Sequence, residues 1–171
     1  MITQNLISTI LKKYRLPLNG IHGVSHWARV LENGLRLARH SGADVRIVQL
    51  FAIFHDSKRE NESLDDGHGV RGAEFAAQLR RTAFELSDRE FDMLYYACAH
   101  HTDGLIEADV TIQTCWDADR LDLLRAGISP QPYKLCTPAA RNQQFIDWAN
   151  QRSVERMIPD FVRAECGCEL V

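Results

Sequence analysis

A chain of 171 residues, 45% hydrophobic and 25% charged, is long enough to bury one core and too apolar for wholesale disorder. Lys and Arg number 20 against 23 Asp and Glu, a net charge of −3 that advertises no nucleic-acid surface. The cysteines, Cys98, Cys115, Cys136, Cys166 and Cys168, are odd in number and form no CxxC unit, which argues against a disulfide framework or thiolate zinc site and for a reducing, cytoplasmic address.

Apolar residues recur at three and four along nearly the whole chain, the period of helices. Ile2, Leu6, Ile10 and Leu11 mark a first helix, stopped by Pro17 and Gly20. Val24, Trp27, Ala28, Leu31, Leu35 and Ala38 stripe a second, closed by Ser41-Gly42. Asp44 caps a third that runs to His55 and is apolar almost all round, which predicts burial. Its apolar run is far shorter than the ~20 residues of a membrane helix, and the N-terminus shows no signal-peptide core. A polar loop follows the third helix, with the turn signal Asp65-Asp66-Gly67. A fourth helix is expected over residues 70–82 and a fifth over 91–101, opened by the capping box Ser87-Asp88-Arg89-Glu90. A sixth covers 112–126, a proline-restricted connector 127–138, and a last helix 139–157, with a tail from Pro159. The expectation is one all-α domain.

Several polar residues sit where the helical pattern wants apolar ones. On the sixth helix Asp119 falls amid the face of Ile112, Cys115, Trp116 and Leu123, while Asp117 points well away and reads as solvated or supporting. A carboxylate aimed at a core needs a cation, from a side chain or from a metal. His55 shares the face of Phe51, Val48 and Ile47, and His26 lies beside Val30 and Leu37; each is either a hydrogen-bonded core histidine or a ligand. His22, four residues before His26, projects from the same face or stands in solvent. His101 continues the stripe Phe91, Leu94, Cys98, with His100 on its flank, and His68 lies in the polar loop. Imidazoles and carboxylates delivered by three helices suit Zn, Mn, Fe or Ni.

The ordered set His26, then His55-Asp56, then Asp119 within Asp117-Ala118-Asp119-Arg120-Leu121-Asp122 resembles the HD superfamily of metal-dependent phosphohydrolases. The likeness is strongest over residues 20–127 and closest to small stand-alone members with signatures like His55 to Glu62 and His68 to Ala73. It implies an HD-domain-like bundle of about six to seven helices over residues 1–171, the C-terminal helix packing on the motif-bearing core. It further implies a divalent metal (Mn, Zn, Ni, Co, Mg or Fe) held by His26, His55, Asp56 and Asp119, with His68, His100 and His101 as candidates for a second site or a general acid. Asp56 would also orient the attacking water, and Lys58, Arg59 and Arg120 are candidate phosphate contacts, although Lys58 and Arg59 open a polar loop and equally read as solvated. The implied partner is a small phosphorylated molecule, a nucleotide first, with no membrane; a homo-oligomer is compatible with the composition. The run His100 to Gly104 resembles a cyclic-dinucleotide phosphodiesterase subgroup, but Ser57-Lys58-Arg59 and the missing Gly-Tyr-Pro depart from it. Two other activities fit the resemblance: a di-iron oxygenase, which requires both extra histidines as ligands, and an inactive nucleotide-sensing domain.

Overall fold

The structure is a computed structural model in which residues 2–159 are described. The expected tail lies, but for Pro159, outside them. Among the described residues there are seven α-helices, two short 3₁₀ turns and no strand: α1 (Gln4–Leu11), α2 (Val24–Ser41), α3 (Val45–Phe54), α4 (His68–Leu79), α5 (Asp88–Ala99), α6 (Val110–Arg120) and α7 (Gln143–Val154). The fold is all-α, and no helix among them is long and apolar enough to cross a membrane.

Helix α3 is the axis of the bundle. Asp44 caps it, its side chain accepting from the Arg46 amide. Ile47, Val48, Leu50, Phe51, Ala52, Ile53 and Phe54 are all buried, as its all-round apolar character requires, against α1, α2, α4, α5 and α6. A second cluster, of Leu37, Leu121, Leu135, Ala140, Ile146 and Ala149, holds α7 and the connector against α2 and the end of α6. Glycine sets two close approaches. A Cβ on Gly72 would lie 2.4 Å from the Phe54 carbonyl oxygen, and one on Gly69 would lie 2.4 Å from that of Cys98. Only glycine lets α4 reach the ends of α3 and α5.

The helix ends differ from the sequence expectation, each for a local reason. Helix α4 starts at His68, because Gly67 adopts φ +79° and turns the chain directly into it. Helix α5 stops at Ala99, and the Cys98 carbonyl is taken by His101 Nδ1. Helix α6 stops at Arg120, followed by a 3₁₀ turn, Leu123–Ala126. The Asp122 carbonyl accepts from Arg125 Nη1 and Ser153 Oγ. Helix α7 is shorter than expected because Asn142 caps it, accepting from Gln144 and Phe145.

Asp117 corrects its sequence reading. It is fully buried, not solvated, since the connector covers the side of α6 opposite the core. Its carboxylate accepts from the Cys136 amide at 2.7 Å, the Thr137 amide at 2.7 Å and Thr137 Oγ1 at 2.8 Å. Burial pushes its pKa up against these bonds. Removing the carboxylate strands buried donors at ~1–3 kcal/mol each. Asp117→Ala is therefore expected to lower the melting temperature by roughly 5–15 °C for a chain of this size. An unchanged melting curve, followed by helical circular dichroism, would contradict this account of the connector.

Candidate metal centre

Four helices deliver the cluster. His26 comes from the first turns of α2, His55 and Asp56 from the end of α3, His68 from the start of α4, and Asp119 from the last turn of α6; His101 follows the end of α5. All six are buried. Each imidazole is fixed through Nδ1 by an acceptor: His26 by Asp122 Oδ2 at 2.7 Å, His55 by the Phe51 carbonyl at 3.1 Å, His68 by that of Asp65 at 2.6 Å, and His101 by that of Cys98 at 2.7 Å. A carbonyl only accepts, so in each neutral ring the hydrogen sits on Nδ1 and the lone pair on Nε2.

The four lone pairs therefore point inward. His26 and His55 bring their Nε2 atoms to 3.0 Å, and so do His68 and His101. Asp119 Oδ1 lies 3.4 Å from His26 Nε2 and 3.8 Å from His55 Nε2. Asp56 stands between the pairs. Its Oδ2 lies 3.5 and 3.7 Å from His26 and His55, and its Oδ1 lies 3.1 and 3.7 Å from His68 and His101. Oδ1 is buried with no hydrogen-bond partner. Six inward-facing acceptors with an orphaned carboxylate oxygen are a donor set for cations. Nitrogen ligands bound at ~2.1 Å and at right angles lie ~3.0 Å apart, which matches both histidine pairs. Two groups that could each hold a metal ion, His26-His55-Asp56 and Asp56-His68-His101, share Asp56.

The electrostatics agree. Burial pushes the His55 imidazole down to about 3, so it stays neutral. Burial opposes charge on Asp56, but the surrounding imidazoles of His55, His101, His22 and His68 outweigh it and hold the carboxyl well below the usual range. Burial likewise opposes Asp119, and the imidazoles of His26 and His55 with the charge of Arg125 draw it far down. Burial lowers His101, but the neighbouring carboxylates of Asp56 and Asp119 reverse this and raise it.

Around the cluster stand further residues, among them His22, which the sequence leaves open between this face and solvent. His22 is not in solvent: its Nδ1 lies 2.9 Å from Asp56 Oδ2. Asp122, which holds His26, accepts from Arg29 Nε at 2.7 Å and Nη2 at 3.0 Å. Arg125 donates from Nε to the Ile21 carbonyl and from Nη1 to that of Asp122, leaving Nη2 3.4 Å from His22 Nδ1 and 3.9 Å from Asp119 Oδ1. Their only sequence signal was proximity to the stations: Asp122 and Arg125 follow Asp119 by three and six positions.

The predicted phosphate contacts and flanking histidine divide. Arg59 is buried rather than solvated, with Nη1 3.1 Å from His68 Nε2 and 3.6 Å from Asp56 Oδ1. Lys58 lays its ammonium 4.8 Å over the Phe75 ring. Arg120 donates from Nη1 to the Lys134 carbonyl and from Nη2 to that of Leu105. His100 is partly exposed and pairs with Asp103 at 2.7 Å, outside the cluster.

In overall shape the chain is similar to the crystal structure of a predicted HD superfamily hydrolase from an uncultured Thermotogales bacterium. The match has 26% identity and a TM-score of 0.64, covering 94% of this chain and 87% of that one. No family model matches the chain, and no curated protein does so at a significant level. The chain adopts the HD-domain fold, with the ordered His, His-Asp and Asp stations gathered at one buried centre.

This centre sets an acid sensitivity. With its folded value near 3 against 6.5 in the unfolded chain, His55 takes up a proton on unfolding throughout that window, so stability falls as pH drops below 6.5. His101, raised, acts oppositely, but its contribution is complete below 6.5. Asp56 and Asp119, both depressed, lose stability further as pH falls below 3.8. The melting temperature of the metal-free protein should decline steadily from pH 6.5 to pH 4, less steeply in His55→Gln. A flat profile would contradict the burial of a neutral His55.

Proposed function

We propose that the protein is a metal-dependent phosphohydrolase acting on a phosphate ester, a nucleotide first among them, with two divalent ions at the centre. The observation that supports it best is the split carboxylate of Asp56, one oxygen turned to each histidine pair. His26, His55, Asp119 and Asp56 Oδ2 would hold one ion; His68, His101 and Asp56 Oδ1 the other. Divalent ions at such a site supply Lewis acidity, polarising a phosphoryl oxygen and lowering the pKa of a water.

The chain's own residues do the rest. Asp122 and the carbonyls of Phe51, Asp65 and Cys98 keep the four rings in the ligating tautomer. Arg59 and Arg125, both tethered by backbone carbonyls, present Nη groups beside the cluster, where charge develops on a transferred phosphoryl group. Lys58 and His100 have no part in this scheme, and Arg120 shapes the adjoining cavity.

A panel of nucleotides against Mn²⁺, Co²⁺, Ni²⁺, Mg²⁺ and Fe²⁺, followed for released phosphate, tests the reading. Asp119→Asn should lose metal and turnover, whereas Asp117→Asn should keep its metal. His68→Ala or His101→Ala should reduce the metal content from two equivalents to one. Arg125→Gln should retain both and lose turnover by ~10²–10³-fold, the scale of one preorganised donor. Inclusion of both His68 and His101 also meets the ligand requirement of the oxygenase branch. Turnover that needs iron and O₂ and stops under anaerobic conditions would replace hydrolysis with that activity, and nucleotide binding without turnover under any metal would mark a sensing domain.

A further inference from the structure

A cavity of about 640 Å³ opens on the metal cluster, with Asp119 and His101 in its wall. That volume lies within the ~300–1,000 Å³ of small-molecule sites. The far wall comes from Arg120, Leu123 and the connector, and the connector is the part of the chain where the family resemblance fades. Leu123, Ile128, Pro130 and Leu135 make it apolar. The cations in the lining are Arg120 and Lys134. Both Nη groups of Arg120 already donate to backbone carbonyls, which leaves the Lys134 ammonium.

This composition discriminates between occupants. A second or third phosphate extending from the metals would bring several negative charges against the Leu123, Ile128, Pro130 and Leu135 surfaces with only Arg120 and Lys134 to meet them, and charge buried without a partner is costly. A flat or apolar organic group would instead cover the Leu123, Ile128 and Leu135 surfaces. We propose that the cavity receives the organic group of a phosphate monoester, aryl- to nucleoside-sized, and that Ile128 and its neighbours set this preference over inorganic or terminal polyphosphate. The inference rests on the hydrolase reading above. It places substrate selection in the connector, apart from the metal ligands.

The test uses phenylphosphonate and inorganic phosphate as probes of the metal-loaded protein, with affinities measured by calorimetry. Phenylphosphonate should bind at least ~10-fold more tightly, the scale at which one apolar group is recognised in a pocket. Ile128 is 55% exposed, so Ile128→Asp leaves the core intact. That variant should erase the affinity gap with unchanged metal content and melting temperature. In turnover, phenyl phosphate and a nucleoside 5′-monophosphate should exceed pyrophosphate and tripolyphosphate in kcat/KM, and Ile128→Asp should raise KM for the monoesters without changing kcat. Equal affinity of the wild type for the two probes, or a gap that survives Ile128→Asp, would overturn the proposal. Hydrolysis with equal affinities would retract the cavity assignment alone; preferred phenylphosphonate binding with no hydrolysis under any metal would retract the hydrolase reading and leave the cavity's occupant standing.

Discussion

The structure depends on a set of hydrogen bonds that face away from the site they create. Three backbone carbonyls and the Asp122 carboxylate each take the Nδ1 hydrogen of one buried imidazole, and so aim four Nε2 lone pairs at the volume that the Asp56 and Asp119 carboxylates also face. Acceptors do not attract acceptors. Without cations between them, the groups must share protons that burial resists, as the depressed His55 shows. The bundle therefore carries local frustration that a bound cation would relieve, and the helices bear its cost. Helix α3 can present His55 and Asp56 there because the seven buried residues from Ile47 to Phe54 anchor it on every side.

Part of this was legible in the sequence. Helix α3 announced its burial by being apolar all round, and the face geometry of α6 separated Asp119 from Asp117. His55 and His26 stood out because an imidazole on a core face conflicts with the pattern. What periodicity could not see was anything held by a chain end or a covering loop. His101 and His100 are adjacent, yet one is buried in the cluster and the other pairs with Asp103 near the surface. The stripe of Phe91, Leu94 and Cys98 already set His101 apart from His100, but its capture by the Cys98 carbonyl, once α5 stops at Ala99, is a local event with no period. Arg59 looked solvated because its neighbours are polar, although its guanidinium is enclosed by the carbonyls of Asn61 and Ser63 and by His68. Asp117 looked solvated because a helix wheel knows one apolar face, and the connector supplies a second.

The end of α6 shows how closely these layers are joined. Within six residues, Asp117 binds the connector, Asp119 faces the His-Asp cluster, Arg120 ties the connector to the segment between α5 and α6 through the Lys134 and Leu105 carbonyls, and Asp122 fixes His26 and Arg29. Alternate directions along one short segment thus serve the cavity wall and the ligand shell in turn. The connector is held by Asp117 and Arg120, and the same backbone positions Asp119 and Asp122. A displacement of the connector by an occupant must load the turn that carries a ligand and the carboxylate that sets its partner's tautomer. The cavity wall and the His-Asp cluster therefore share one support. Exchanging the apolar residues of the connector would alter the cavity wall alone, while exchanging its polar anchors would disturb whether the cluster holds together.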